Sequence, residues 1–252
     1  MRFFPLFLIC FAFLASCVSV DGEHVDSSFT YQALGKRGVK LTPVQISDTV
    51  TAKRVTGGQL LSLLGTEIRD ERKDIKVHGK DDRLNSRAIL KQIRSTNELS
   101  QEAINSLPGD VKPYVVYASI ISDDTQSSNS ENKNDKDQIT GYVYSTERLM
   151  TVAFRVYDLK SKKMVWSGDV NKRLSKSKTY SPAEYERMQE TKKDSETINM
   201  VGSIAKAISG KSDNKDIVKV RSFYPKAPSQ RKVLKELFSD FADALPKKGM
   251  FE

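Results

Sequence analysis

The chain of 252 residues is long enough to bury a sizeable core as one large domain or two small ones. Its hydrophobic content of 38% and charged content of 29% describe a soluble protein with a somewhat polar surface. The formal charge of +9 favours anionic partners such as acidic proteins, phospholipid headgroups or cell-wall polymers. The cations are nevertheless scattered, without the stripe of Arg and Lys interleaved with stacking aromatics that a nucleic-acid surface requires, so nucleic acid is not expected as a partner.

Residues 1–16 read as a leader. Arg2 supplies a short basic start, and Phe3 to Leu14 form an apolar stretch of signal-peptide length. That stretch is too short to span a hydrocarbon core of ~30 Å as a helix. Leu14-Ala15-Ser16-Cys17 follows it, and this pattern resembles the bacterial lipobox, in which a branched residue and two small ones precede a cysteine. The resemblance implies cleavage before Cys17 and acylation of its thiol, by a diacylglyceryl group and then by a third chain such as palmitate. Two or more acyl chains anchor stably where one does so only marginally.

Cysteine usage fits the same reading. The other cysteine, Cys10, lies inside the leader, so the processed chain has no partner for an internal disulfide. Loss of the leader also removes Arg2 from the +9 and leaves +8. The competing reading is an ordinary secretory leader cut a few residues further on. Val18 stands where enteric lipoproteins retained at the inner membrane carry aspartate, and that resemblance implies a cell-envelope protein anchored in the outer membrane and facing the periplasm.

After the leader, residues 17–37 are expected to be the lipidated cysteine and a flexible tether, polar and without periodicity. Residues 38–252 are expected to be a single α/β (α+β) domain, a mixed sheet with helices packed against it. Val39 to Ile46 alternates as a strand with one buried face, and Pro43 predicts an edge or a bulge. Leu60, Leu61, Leu63, Leu64 and Ile68 share a helical face, and Asp74 to His78 reads as a short strand. Asn85 or Ser86 caps a helix through Ile93, and a shorter one covers Gln101 to Leu107 before Pro108-Gly109.

Tyr114 to Ile121 is the most hydrophobic segment after the leader and is the expected central strand. Residues 122–137 are low in complexity and polar, and predict a mobile loop. Leu149 to Leu159 and Met164 to Val170 form a hairpin about Lys160 to Lys163. Residues 172–216 read as a polar, lysine-rich insertion with one helix from Ser195 to Ile208. Ser229 then caps an amphipathic closing helix whose stripe is Leu234, Leu237, Phe241 and Leu245, flanked by Phe238 and ended by Pro246.

This order of elements resembles the α/β domain of curli-secretion-channel lipoproteins, penicillin-binding-protein activator lipoproteins and the amino-terminal domain of TolB. The segments that carry the resemblance are Gly38 to Ile46, YVVYASI from Tyr114, the hairpin VAFRVYDLKSKKMVWSGDV, and the tail FYPKAPSQRKVLKELFSDFADALPK. They cover residues 38–170 and 223–248. The resemblance implies the fold and an accessory, non-enzymatic role, and no functional residue. A pore would require long amphipathic membrane strands, which the pattern does not predict.

No catalytic constellation emerges. His24 and His78 lie outside any metal-ligand spacing, so neither a metal nor another cofactor is expected. Gly210-Lys211-Ser212 ends a relaxed phosphate-loop pattern, but a helix precedes it where that chemistry needs a strand. Asp70, Glu71, Asp81 and Asp82 lie among basic residues and read as solvated faces. Three readings of function follow. The first is an accessory or scaffold that binds another envelope protein or copies of itself. The second is a binding module for an anionic envelope polymer or lipid, and the third, least favoured, is an envelope hydrolase with a carboxylate pair.

Overall fold

The computed structural model describes residues 20–50, 57–190 and 223–249. In chain order these form β1 (Val20–Val25), α1 (Tyr31–Arg37), β2 (Val39–Leu41), β3 (Gln45–Ile46), α2 (Gly57–Glu71), β4 (Val77–His78), α3 (Arg87–Thr96), α4 (Gln101–Ser106), β5 (Tyr114–Lys133), β6 (Ile139–Asp158), β7 (Lys163–Tyr180), α5 (residues 182–190) and α6 (Gln230–Ala244). The strands make one mixed sheet of order β1-β7-β6-β5-β2-β4, with β3 also on β5. Contacts among β2, β3, β4 and β5 are parallel, and those among β1, β5, β6 and β7 are antiparallel. The sheet is open, ending at β1 and β4.

Both sheet faces are covered over the inner half. Val116, Ala118 and Ile120 of β5 share one cluster with Val152, Phe154, Val156, Trp166 and Val170, and this face receives α2 and α6. The neighbouring positions Val115 and Tyr117 point the other way, to Tyr157, Leu159 and the apolar sides of α3 and α4. Burial of each large apolar side chain stabilises the fold by ~1.5–3 kcal/mol. The stripe expected on the closing helix is the one buried: Leu234, Leu237, Phe238, Phe241 and Leu245 are all inaccessible to solvent. Phe241 stacks on Phe154 at 3.9 Å between centroids and meets Trp166 edge-on at 5.4 Å.

The helix ends follow local chemistry. Ser86, Ser100 and Ser229 accept from the third following amide at the starts of α3, α4 and α6, and Thr30 does so for α1. The C-terminal end of α6 is held by Arg72, whose guanidinium donates to the carbonyls of Ala242, Leu245 and Pro246 while paired with Asp74. Gly38 joins α1 to β2 at φ +69°, with the Lys76 carbonyl and the His78 ring packed where a Cβ would go. At Gly168 a Cβ would stand 2.5 Å from Val20 Cγ1 and 3.0 Å from the Trp166 ring, so glycine is what lets β1 cross the indole.

Several expectations are corrected. The tether does not extend to residue 37: β1 pairs with β7 from Val20↔Val170 to Val25↔Trp166, Phe29 is fully buried, and α1 follows. The VDGEHV segment is solvent-exposed along most of its length, and its order comes from ladder hydrogen bonds that leave no apolar pattern in sequence. Pro43 splits the first predicted strand into β2 and β3. Both stay on β5, through Thr42 N–H to Val116 O and Ser47 N–H to Ile120 O, and β2 is interior because β4 lies outside it.

The largest correction concerns residues 122–137. Ser122 to Lys133 continues β5 in pairing with β6, with one register shift between Asn132 and Lys133, and only residues 134–138 turn. The turn is tied by Asn134, whose side-chain oxygen accepts from the amides of Lys136 and Gln138, with Asp137 at φ +58°. The insertion expected over 172–216 likewise begins as strand, since β7 runs to Tyr180 and α5 follows. The helix predicted from Ser195 to Ile208 lies outside the described residues.

These extensions produce an arm. Beyond the register Ser122↔Thr151↔Asn171, β5, β6 and β7 continue together as a three-stranded ribbon. The twelve residues from Ser122 to Lys133 give it a length of about 40 Å at ~3.3 Å per residue. Long strands therefore exist where none were expected, but Ser122 to Lys133 includes no apolar side chain on either face.

Candidate functional site

Of the residues singled out by sequence, Leu14, Ala15, Ser16 and Cys17 lie outside the described residues, as does Gly210-Lys211-Ser212. What the structure adds is their distance from the fold: Cys17 is three residues before the start of β1. His24 is exposed on β1. The His78 ring nitrogen lies 2.9 Å from the Arg37 carbonyl oxygen, joining β4 to the end of α1. Among the described residues no group of His, Cys, Asp and Glu is disposed to hold a metal ion.

The four carboxylates separate into two settings. Asp81 accepts from Arg83 and Lys40, and the guanidinium of Arg83 above all holds it below the usual carboxylate range. Asp82 begins the single 3-10 turn beside it. Asp70 and Glu71 instead line a groove of about 320 Å³ between α2 and α6, with Glu67, Glu236, Asp240, Lys172 and Lys235. Burial pushes Glu67 up, against the opposing pull of Lys235. Lys172 pairs with Asp240 at 2.9 Å, and Ser239 donates to Glu71. Asp70 and Glu71 stand exposed, as expected, at the rim of this groove, whose ion pairs are those of Lys172 with Asp240 and Glu236.

A second concavity is larger and of opposite charge. At the base of the arm, a cleft of about 870 Å³ lies between β5, β6 and β7 and the start of α6. Five cations line it (Arg148, Lys176, Lys226, Arg231 and Lys232) against one carboxylate, Asp123. The Asp123 side chain is fully buried and engaged, accepting from Arg148 Nε at 2.6 Å and Gln230 Nε2 at 2.7 Å. Arg148 also donates to the Pro228 carbonyl at 3.0 Å, which fixes the chain as it enters α6. The other four cations are exposed and have no carboxylate partner among the described residues.

The start of α6 adds to the positive field. Its first turn has no acidic residue and carries Arg231 and Lys232, where the helix macrodipole already presents partial positive charge. Sequence reasoning missed this site because its cations come from separate stretches of chain. The one legible sign was Ser229-Gln230-Arg231-Lys232, a helix start with cations where carboxylates are the favourable choice.

The two faces of the arm differ. On the cleft side, Tyr142, Tyr144, Tyr180, Tyr185, Phe223 and Tyr224 form an aromatic cluster that ties α5 and the chain before α6 to the ribbon, with Tyr142 stacked on Tyr185 at 3.9 Å. Tyr180 adds a hydrogen bond to the Phe223 carbonyl. The opposite face presents a polar lattice. Ser122 donates to Thr151, Thr151 to Asn171 and Asn171 to Asp21, and Ser145 meets Ser177 at 2.8 Å. Both long edges are open as well. Past Ile120 the described partner of β5 is β6 alone, and past Val170 the described partner of β7 is β6 alone. Exposed strand edges present unpaired N–H and C=O groups to any incoming strand.

No family model matches the chain, and no curated protein matches it. By structure it is similar to the hypothetical protein CT253 from Chlamydia trachomatis, with 16% identity and a TM-score of 0.34 over 56% of this chain and 72% of that one. It is also similar to the PelC dodecamer from Paraburkholderia phytofirmans, at 13% identity and a TM-score of 0.32 over 62% and 80% of the two chains. A third likeness is to lipoprotein GNA1162 from Neisseria meningitidis, at 10% identity and a TM-score of 0.27 over 66% and 96%. Likeness at this level leaves the functional reading to rest on the chain's own residues.

Proposed function

We propose that the chain is an acylated cell-envelope lipoprotein that acts as a non-enzymatic accessory or scaffold, and that the arm is the part that engages its partner. The anchor rests on the lipobox-like Leu14-Ala15-Ser16-Cys17, the outer-membrane, periplasm-facing location on the Val18 that follows it, and the curli-channel and activator resemblance on Gly38 to Ile46, YVVYASI from Tyr114, the β6–β7 hairpin and the closing tail. The single observation that supports the interaction role is the open ribbon. Among the described residues, two ribbon edges without a further strand and a Ser/Thr/Asn-rich face extend about 40 Å from a body whose own sheet faces are filled.

The role is tested by placing a photo-crosslinking residue at Ser128 on β5, at Ser177 on β7, or at Lys91 on α3 as a reference. In the bacterial envelope, the two arm positions should give discrete protein adducts and Lys91 should not. Adducts at Lys91 alone, or none at either arm position, would defeat the reading. The anchor is tested separately by intact mass of the mature protein beside Cys17→Ala. Cleavage before Cys17 with added acyl mass, lost in the variant, is the expected result. Cleavage beyond Cys17 without lipid refutes the anchor.

A further inference from the structure

The cleft at the arm base is built to hold negative charge, and its position relative to the anchor says where that charge comes from. β1 runs antiparallel to β7, with Val20 opposite Val170, so residues before Val20 leave the sheet on the side where β7 continues into the arm. Three residues reach at most ~10 Å. An acyl group on Cys17 therefore enters a bilayer close to the point where the arm begins. From Val170 to Lys176 is six residues along the same strand, about 20 Å, and both side chains lie on the face that carries α6.

The outer half of β5 has no apolar residue to bury in hydrocarbon, so an arm that begins beside the anchor meets a membrane at its headgroup layer. The cleft face offers Lys176, Lys226, Arg231, Lys232 and the amide end of α6, while the other face carries a hydroxyl and amide lattice whose Arg173 is already paired with Glu147. Lys172, on the same sheet face, is by contrast already neutralised by Asp240 and Glu236.

We infer that this cleft is a phospholipid-headgroup site, in which the four cations without a carboxylate partner among the described residues, together with the start of α6, receive the phosphates of anionic lipids and hold the arm against the membrane. The inference rests on the acylation of Cys17 for its geometry, and it assigns to the second face of the arm a different role from partner engagement. Each Lys or Arg near an anionic surface adds attraction that salt screens, so the cleft acts as the second anchoring element beside the acyl chains.

The test uses a chain beginning at Val18, which keeps every described element and lacks both leader and acyl group. Co-sedimentation is measured with vesicles of phosphatidylcholine alone or of an equimolar mixture with phosphatidylglycerol. The expected result is binding to the anionic vesicles only, weakened by at least about tenfold in Lys176→Glu/Arg231→Glu and unchanged in Lys91→Glu. Millimolar inorganic phosphate should not displace the vesicles.

Three outcomes overturn the inference. One is an equal loss from Lys91→Glu, which would reveal diffuse surface charge. Another is saturation by inorganic phosphate without preference for anionic vesicles, which would reveal a free-phosphate site. The last is no binding to either vesicle. Circular dichroism of the charge-reversed variants confirms folding, since both substituted side chains are exposed. Failure of acylation would appear in the mass of the wild-type protein and would leave the vesicle measurement readable by itself.

Discussion

Replacement of Arg148 by methionine removes the cation over Asp123 and should destabilise the protein by about 3 to 5 kcal/mol, the range for breaking a buried pair from one side. The pair is buried on both sides, with the Asp123 side chain 0% exposed and that of Arg148 16%. The variant loses the 2.6 Å and 3.3 Å contacts to the carboxylate and the 3.0 Å bond to the Pro228 carbonyl. Gln230 still donates to Asp123 at 2.7 Å, so the loss should fall near the lower end of that range. In Arg148→Met/Asp123→Leu no uncompensated charge is left, and most of the loss should be recovered. Urea unfolding measures both, with the slope unchanged and the midpoint shifted. A loss below about 1 kcal/mol in the single variant would match an exposed pair and refute the claim that this pair forms a closed wall of the cleft.

Other outcomes follow from the same structure. Asp158 is held at about 2 by its two bonds from Arg37, so the pair contributes stability above the ordinary carboxylate value and loses it as pH falls toward 2. Arg37→Gln should therefore cost about 2 kcal/mol at neutral pH, with the gap to wild type closing between about pH 4 and 2 in pH-dependent denaturation. Glu67 is shifted the other way by burial, so its protonated form favours the fold, and that contribution is present at low pH and lost as pH rises through its folded value. Glu67→Gln should raise the thermal midpoint at pH 7 and have little effect in acid. Gly38→Ala should destabilise by about 2–4 kcal/mol from backbone strain and overpacking against Lys76 and His78, read by the same urea titration.

What was legible in the sequence divides along a physical line. Elements that bury a stripe or use a specific cap could be read: the start of α6 at Ser229, its Leu234–Leu245 stripe, the start of α3 at Asn85 or Ser86, of which Ser86 is the cap, and the inner half of β5. Elements held mainly by backbone ladders could not. The outer half of β5 is polar on both faces, and its order depends on β6, which brings Tyr142, Tyr144 and Met150 to the ribbon. A composition argument that weighs ordering entropy against apolar burial misses hydrogen bonds supplied by a neighbouring strand. The segment β1 was hidden for the same reason. The cleft was hidden by distance along the chain, since Arg148, Lys176 and Lys226 become neighbours only once the arm and α6 have folded. Glu71 was placed on the right helix, but Ser239, which donates to it, lies on another.

For a chain exported and acylated as proposed, the pairing of β1 with β7 also constrains the order of events. Once Val20 is docked on Val170, Cys17 hangs three residues from a folded sheet, too close for a membrane-embedded processing enzyme to draw an extended peptide into its site. The leader emerges first, whereas the strand that receives β1 lies some 150 positions later. Until residues 163–170 are across the membrane, β1 has no strand to pair with. The long sequence separation that slows closure of this contact thereby keeps a time window open. Cutting and acylation would take place inside that window, and the last step of folding would shut it.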